Sequence, residues 1–548
     1  MSGNAGKSEA GQDGAPGSYD AVVVGAGFAG LYMLHRLRGL GLSARVFEAG
    51  TGVGGTWYWN RYPGARVDIM SQEYSYSFSP ELEEEWQWTE RYATQAELLR
   101  YVNHVADRFD LRKDIQLETK IVSQAFNETT NRWTVTTDRG EAISARYCVM
   151  ATGCLSVPKD IDITGAERFK GPTYRTSRWP HEGVDFTGLK VAVIGTGSSA
   201  IQSIPEIAKQ AAQVTVFQRT PNFSLPAHNA ALNPAAVADW KAHRVEYRAK
   251  ARDQGFGQLF IDESDKLASD LSPTERRAVM EDRWRRGGFA LGGAFSDLVT
   301  DKAANDEASE FVREKIRQIV KDPAVAEVLS PRNHPLFTKR PCVDTDYFAT
   351  YNRENVALVD LTKTPIETIT ETGVKTTDAS FNVDVIVYAI GFDAMTGALN
   401  AIDIHGRDGE TLRAKWAAGP RTYLGLLVSG FPNMFLVTGP GSPSVLSNMM
   451  LSIEQHVDWI KDCVAYLGDH QLGVIEATAG AEEAWVEHVN EVAHTTLYPS
   501  ADSWYMGANV PGKPRVFMPY IGGVPVYREK CDEVAAGGYQ GCLLSKAS

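Results

Sequence analysis

Two glycine turns, each set between an apolar strand and a helix, constrain this chain more than anything else in it. The first reads Gly25-Ala26-Gly27-Phe28-Ala29-Gly30. It follows an apolar run from Tyr19 to Val24 and precedes a helical pattern from about Phe28 to Arg38, which Gly39 and Gly41 end. The second reads Gly195-Thr196-Gly197-Ser198-Ser199-Ala200, between the run Leu189–Ile194 and a helix through Lys209. In each turn the first glycine allows the tight bend and the second lets backbone approach a phosphate, which then rests on the amides of a helix N-terminus. Spacing of this kind is weak by itself in a chain with 49 glycines among 548 residues. The strand–turn–helix–strand setting, met twice, makes it strong. The chain is expected to be α/β, with two Rossmann-like dinucleotide-binding domains.

The residues that close each second strand tell the two cradles apart. The strand Ala44–Glu48 ends on an acid. The Glu48 carboxylate accepts hydrogen bonds from ribose hydroxyls and repels a 2′-phosphate, so the first cradle suits FAD or NAD and not NADP. The strand Val214–Gln218 runs instead into Arg219 and Thr220. A guanidinium there pairs with a 2′-phosphate, so the second cradle suits NADPH. One cradle of each kind points to a flavoprotein in which hydride passes from NADPH to FAD.

A length of 548 residues implies two or three domains. Residues 19–155 and 391–548 are assigned to the FAD-binding domain, and 165–232 with 331–390 to the NADP-binding domain. The chain is expected to cross between them near Gly153 and near Gly391. Residues 233–330 read as a helical insertion: Ser272, Pro273 and Glu275 form a capping box, and Val312, Ile316, Ile319 and Val320 mark one helical face stopped by Pro323. The arginines Arg283, Arg285 and Arg286 are expected on a solvated helix face. Residues 1–18, rich in Gly, Ser and Ala and without an apolar core, read as a disordered tail and not as a signal peptide.

A net charge of −13 argues against a nucleic-acid partner. None of the six cysteines forms a CxxC pair, so neither a thioredoxin-like redox motif nor a metal site is expected, and scattered thiols fit a reducing cytoplasm. The best candidate membrane span, Tyr423–Thr438, is broken by Ser429, Gly430, Pro432 and Asn433. A cytoplasmic enzyme without a membrane partner, monomeric or weakly oligomeric, is the expectation.

A longer motif goes further: Gly54-Gly55-Thr56-Trp57-Tyr58-Trp59-Asn60-Arg61-Tyr62-Pro63-Gly64-Ala65-Arg66-Val67-Asp68. At every fixed position it resembles a motif of the type I Baeyer–Villiger monooxygenases, and the resemblance extends from about Tyr19 to Gly541. It implies that NADPH reduces FAD, that O2 adds to give a flavin peroxide, and that this attacks a small-molecule ketone to give an ester or lactone. It implies cofactor contacts for Gly55, Thr56, Trp57 and Asp68. Arg340, in the run Phe337-Thr338-Lys339-Arg340, matches the family's active-site arginine, and Asp68 matches the acid that orients it. An arginine stays protonated, so its task would be to hold negative charge and the ketone oxygen. Lys339 matches a second contact to the 2′-phosphate. Trp504 matches a residue near nicotinamide and substrate. Ser444, Val445 and Leu446 match a loop lining the pocket, where apolar bulk would suit an aryl, cyclic or steroid-like ketone.

The chain departs from the family at one conspicuous place. The segment from Phe169 to Pro180 keeps the frame F-x-G-x-x-x-H-x-x-x-W-P, with Arg175 where histidine is expected; Ile390, where threonine is frequent, is a milder departure. The segment lies on the linker into the NADP domain, where coupling of domain motion to catalysis is expected. Three other readings are a flavin monooxygenase acting on nitrogen or sulfur, an uncoupled NADPH oxidase, and a non-catalytic nucleotide-binding regulator. Asp68, Trp179 and Arg340 argue against the first, and Asp68 with Arg340 against the last.

Overall fold

Residues 17–546 are described by the computed structural model, and they repeat one local design in two sheets. Six strands come first: β1 (Ser18–Val24), β2 (Ala44–Phe47), β3 (Ile115–Gln116), β4 (Ile121–Asn127), β5 (Arg132–Thr137) and β6 (Ala142–Met150). Then follow β7 (Thr173–Arg175), β8 (Lys190–Ile194), β9 (Gln213–Gln218), β10 (Ser224–Pro226), β11 (Cys342–Asp344) and β12 (Val356–Asp360). A small antiparallel sheet of β13 (Ile366–Thr370), β14 (Gly373–Thr376) and β15 (Ser380–Asn382) leads to β16 (Val385–Tyr388), β17 (Asp403–His405) and β18 (Met434–Leu436).

The eight-stranded sheet has the order β17-β4-β5-β6-β1-β2-β3, with β18 also paired to β6. Strands from beyond residue 391 therefore return to the sheet that holds the first glycine turn. The five-stranded sheet, β12-β9-β8-β16-β7, is parallel at every pairing. Parallel strands are covered on both faces, so they read as unbroken apolar runs. Ala21, Val22 and Val23 of β1 and Val191, Ala192 and Val193 of β8 are wholly shielded from solvent. Burying each valine contributes roughly 1.5–3 kcal/mol.

In both sheets the strand before the glycine turn is the switch point. β1 has β2 on one side and β6 on the other; β8 has β9 on one side and β16 on the other. Ligands of open α/β sheets bind beyond the carboxyl ends of such strands.

Between 233 and 330 the described elements are helical: Pro234–Arg252, Pro273–Arg286, Lys302–Ile319 and Pro323–Leu329, joined by short 3-10 turns. The capping box forms, with Ser272 N donating to Glu275 Oε2 at 2.8 Å and Glu275 N to Ser272 Oγ at 3.3 Å. Pro323 does more than stop a helix; it opens the next one, at the first helical position where a missing N–H costs nothing. The arginine cluster is not a solvated face throughout. Arg283 is buried and donates to the Ile261 and Asp262 carbonyls at 2.8 and 2.7 Å, whereas Arg286 divides between the Phe260 carbonyl at 2.8 Å and the exposed Asp262 carboxylate at 3.0 Å, and Arg285 is surface-paired with Asp282. A guanidinium's fixed fork suits a turn with several unpaid carbonyls, and a sequence pattern does not reveal that turn.

Of the expected tail, residues 1–16 lie outside the described ones, while Ser18 already belongs to β1, paired with Ser144 of β6. The run Tyr423–Thr438 carries β18 into the first sheet, and no helix among the described residues is long and apolar enough to cross a membrane.

Candidate active site

Both glycine turns close the same way. Gly25 has φ +103°, and a Cβ on it would lie 2.6 Å from the Ala151 carbonyl oxygen; Gly195 has φ +115°, and its Cβ would lie 2.3 Å from that of Ala389. Each turn is wedged against the strand across the switch point, so only glycine fits. Gly30 lets its helix press on the turn, where a Cβ would sit 1.8 Å from the Gly25 carbonyl oxygen. The second glycines differ in kind. Gly27 faces Gly55 backbone to backbone, and Gly197 has nothing within 4 Å of its Cβ position.

The helices that begin here, Phe28–Gly39 and Ser198–Gln210, have Gly27 and Gly197 at the N-cap and no side-chain cap hydrogen bond. Helices elsewhere, such as Gln95–Arg108 and Pro273–Arg286, are capped by Thr94 and Ser272. Uncapped amides beside glycine backbone are free to receive a phosphate. The residues present thus fit a dinucleotide at each cradle.

Glu48 is buried, and burial pushes its carboxyl above the usual range. Its Oε2 accepts from Ala26 N and its Oε1 from Gly50 N, both at 2.8 Å, with the Trp59 indole also hydrogen-bonded to the carboxylate, so it ties β2 to the first turn and to the long motif. In the second cradle Thr196 donates to the Thr220 carbonyl at 2.8 Å, and Ser199 shares a hydrogen bond with Thr176 at 3.0 Å. Arg219 and Ser198 are exposed. Arg219 stands close enough to Lys339 to lower its ammonium pKa, although burial is the larger cause.

The long motif runs from one cradle to the other and ends at the arginine. Gly55 lies against Gly27, and the short helix Thr56–Trp59 follows, with Thr56 exposed, Trp57 buried and the Trp57 indole donating to the Tyr74 hydroxyl at 3.3 Å. Tyr62 then donates to Gln202 Oε1 at 2.9 Å, and Gln202 Nε2 returns a bond to the Arg66 carbonyl at 3.1 Å. Gln202 lies on the second cradle's helix. Gly64 packs so tightly there that a Cβ would approach the Gln202 carbonyl oxygen to 2.4 Å. Two residues past Arg66, Asp68 receives Arg340.

That pair is bidentate: Arg340 Nε to Asp68 Oδ2 at 2.9 Å and Nη2 to Oδ1 at 3.0 Å. Nη1 donates to the Val445 carbonyl at 2.7 Å, and the guanidinium lies 5.1 Å from the Phe289 ring centre. Burial alone lowers a guanidinium's pKa; here Asp68 outweighs it, with the Tyr505 hydroxyl adding a hydrogen bond, so Arg340 holds its proton more tightly than a free arginine. Val445 and Leu446 join Tyr498, Tyr505, Met506 and Phe517 in one apolar cluster, with Trp504, Cys154 and Leu155 packed against it. The Ser444 hydroxyl is buried, donating to the Thr438 carbonyl at 3.3 Å and hydrogen-bonded to the Cys154 thiol. Cys342 is buried, and burial pushes its thiol up to about 12, so it stays protonated at neutral pH.

Arg175 ends β7, and its Nη1 reaches the Lys159 carbonyl at 3.4 Å. Residues near the site that sequence patterns did not single out include Gln202, Tyr505, Phe289 and Lys159. Each gains its place from a distant segment, and none stands in a local motif; Gln202, three residues after Ser199 on a helix known from its glycine turn, was the one within reach.

Two dinucleotide cradles bridged by a single motif define an oxidoreductase that holds two nucleotides. Residues 22–252 match the family described as pyridine nucleotide-disulphide oxidoreductase. Over 531 residues the chain is 43% identical to the acetone monooxygenase (methyl acetate-forming) of Gordonia sp. (strain TY-5), covering 96% of this chain and 99% of that one. It is 44% identical to the phenazine N-monooxygenase PhzNO1 of Lysobacter antibioticus over 530 residues, 96% of this chain and 97% of that one. The structure of oxidised steroid monooxygenase bound to NADP is 55% identical, with a TM-score of 0.93, covering 96% of this chain and 100% of its own. The chain belongs to the flavin-dependent Baeyer–Villiger monooxygenases.

Proposed function

We propose that this enzyme uses NADPH and O2 to convert a hydrophobic ketone, of aryl, cyclic or steroid-like type, to an ester or lactone, with Arg340 as the fixed cation beside the reacting carbonyl. The observation that carries the reading is the three-point hold on Arg340 by Asp68 and Val445 at the edge of the apolar cluster around Trp504. Those three bonds use three of the five guanidinium N–H groups. The rest face Tyr505 and the place where a substrate oxygen would develop negative charge, and a preorganised donor there stabilises that charge without reorganising.

Bound flavin supplies the electron transfer and the activation of O2. The chain's own residues do the rest. Gly25, Gly27, Gly30, Glu48, Gly55, Thr56 and Trp57 hold the flavin nucleotide on residues 19–155 and 391–548. Gly195, Thr196, Gly197, Ser198, Ser199, Arg219, Thr220 and Lys339 hold NADPH on residues 165–232 and 331–390, with residues 233–330 as a helical insertion. Trp504, Ser444, Val445 and Leu446 wall the ketone pocket. A cytoplasmic, monomeric or weakly associating enzyme fits six free cysteines.

The test is a panel of aryl, cyclic and steroid ketones with NADPH and air, read by mass for esters and lactones. Arg340→Ala should still let NADPH bleach the flavin while ester formation falls by roughly 10²–10³-fold. Ester at an undiminished rate would remove Arg340 from its role, and hydrogen peroxide as the sole product would favour the oxidase reading. One relative is a phenazine N-monooxygenase, so aromatic N-heterocycles belong in the panel; turnover of these with no ketone converted would favour nitrogen oxidation.

A further inference from the structure

Four cations stand around the second cradle, and among the described residues none has a carboxylate within ion-pair distance. They are Arg175 at the end of β7, Arg219 just past β9, Lys339 shortly before β11, and Lys159. Asp502, the acid whose charge reaches Lys339, is paired with Arg515 at 2.8 Å. In a chain of net charge −13, a cation cluster left without acids is the signature of an anionic ligand.

Arg219 and Lys339 answer to the 2′-phosphate. Lys159 stands elsewhere. It lies on a strap that backs the turn after β16: Lys159 N donates to the Gly391 carbonyl at 3.1 Å, Asp393 N donates to the Val157 carbonyl at 2.8 Å, and Pro158 bridges Phe392. That turn is on the opposite side of β8 from β9, whose end carries Arg219. The diphosphate of a nucleotide sits between those two positions, over the uncapped helix that starts at Ser198. The Lys159 ammonium is anchored only by the Asn509 carbonyl at 3.3 Å. Burial first, and then the Arg219 charge, push its pKa down, as befits an ammonium left short of counter-charge. Arg175 adds a side-chain hold to these backbone bonds, its Nη1 meeting the Lys159 carbonyl at 3.4 Å.

We infer that Lys159 is the side-chain cation that binds the diphosphate of NADP(H), and that Arg175 is a positioning residue that fixes the strap carrying it. The inference rests on the NADPH reading of the second cradle. It gives Arg175 a task on the linker that needs a long side chain ending in a donor. The remaining diphosphate contacts in this cradle are neutral: backbone amides and the hydroxyls of Ser198 and Ser199.

Calorimetric titration of the oxidised, FAD-loaded protein separates the possibilities. The probes are NADP+, NAD+ and adenosine 2′-monophosphate, which has the 2′-phosphate and no diphosphate. Lys159→Gln should weaken NADP+ and NAD+ by about the same factor, roughly tenfold, and leave adenosine 2′-monophosphate unchanged. Lys159→Arg should keep most of the affinity. Arg219→Ala should weaken NADP+ and adenosine 2′-monophosphate and spare NAD+. Unchanged NADP+ binding in Lys159→Gln, or a matching loss of adenosine 2′-monophosphate, overturns the diphosphate assignment. Unchanged NADP+ binding in Arg219→Ala overturns the reading of the cradle itself, whatever Lys159 does. Arg175→Ala should weaken NADP+ in the wild-type background and have no further effect on Lys159→Gln; additive losses would overturn the positioning role.

Discussion

Asp68 grips Arg340 through both carboxylate oxygens, and two effects of opposite sign meet there. Burial favours losing the proton, and a carboxylate at hydrogen-bond distance favours keeping it; the second wins. The side chains remain 26% and 23% exposed, so the pair is worth less than a fully buried one, roughly 1–3 kcal/mol. Asp68→Asn keeps the shape and removes the charge. It should lower the melting temperature by a few degrees and slow ester formation by roughly 10–100-fold, while NADPH still bleaches the flavin at a near-normal rate. Equal losses in flavin reduction and in ester formation would place Asp68 in cofactor binding instead. The family resemblance already paired Asp68 with Arg340, though neither residue's spacing in the chain shows it. That they meet, and that Val445 offers its carbonyl to the same guanidinium, depends on segments brought together from three parts of the chain.

The two glycine turns show how one local pattern contains positions with unlike jobs. Gly195 is required by the fold: its φ of +115° and the 2.3 Å approach to Ala389 leave no room for a side chain. Gly197 is not, because its Cβ would point into open space at the uncapped helix end. Gly195→Ala should therefore lower the melting temperature markedly. Gly197→Ala should leave it unchanged within a degree and weaken NADP+ binding by roughly tenfold, through a methyl group where phosphate approaches. Thermal melts with NADP+ titrations of both variants check this; loss of stability in Gly197→Ala would mean the turn is tighter than it looks. The strands and helices that flank the two turns were legible from apolar runs and glycine spacing, while elements such as the helices Met449–Asp469 and Ala479–His494 were not read. The burial of Arg283 was not legible, since helix periodicity shows which residues share a face and not what lies opposite that face.

Acid sensitivity of the whole protein follows from buried groups scattered through it. His456 is wholly buried; its Nδ1 accepts from Thr438 N at 2.8 Å, and its Nε2 lies 2.9 Å from the Tyr527 hydroxyl, which fixes a neutral ring. Burial pushes its pKa down to about 3, and burial does the same to His334, also to about 3. Both depressed groups contribute stability that is present above about 6.5 and lost as pH falls toward 3. Glu73 and Asp344 act the other way. Burial raises them to about 7 and about 6, so their contribution is present at low pH and fades as pH rises through those values. His456→Gln should take about one proton, or about 1.4 kcal/mol per pH unit, out of the stability slope between pH 3 and 6.5. Urea melts across that range measure it, and an unchanged slope would mean the imidazole is protonated in the folded protein. The two sheets themselves are tied through Gln202, which binds Tyr62 and Arg66 of the long motif.

Sequence alone was enough for the class of fold, the two cradles and the charge that each ribose end presents, because periodicity, glycine spacing and a strand-end residue are local properties. A local pattern also named the motif that ends at Asp68. Tertiary structure decided the rest of each site. The Val445 carbonyl on Arg340, the docking of Gly64 on the second helix and the strap beneath Lys159 all join residues far apart in the chain. Their geometry is set by how two parallel sheets pack, and packing leaves no mark on the spacing of residues along a strand.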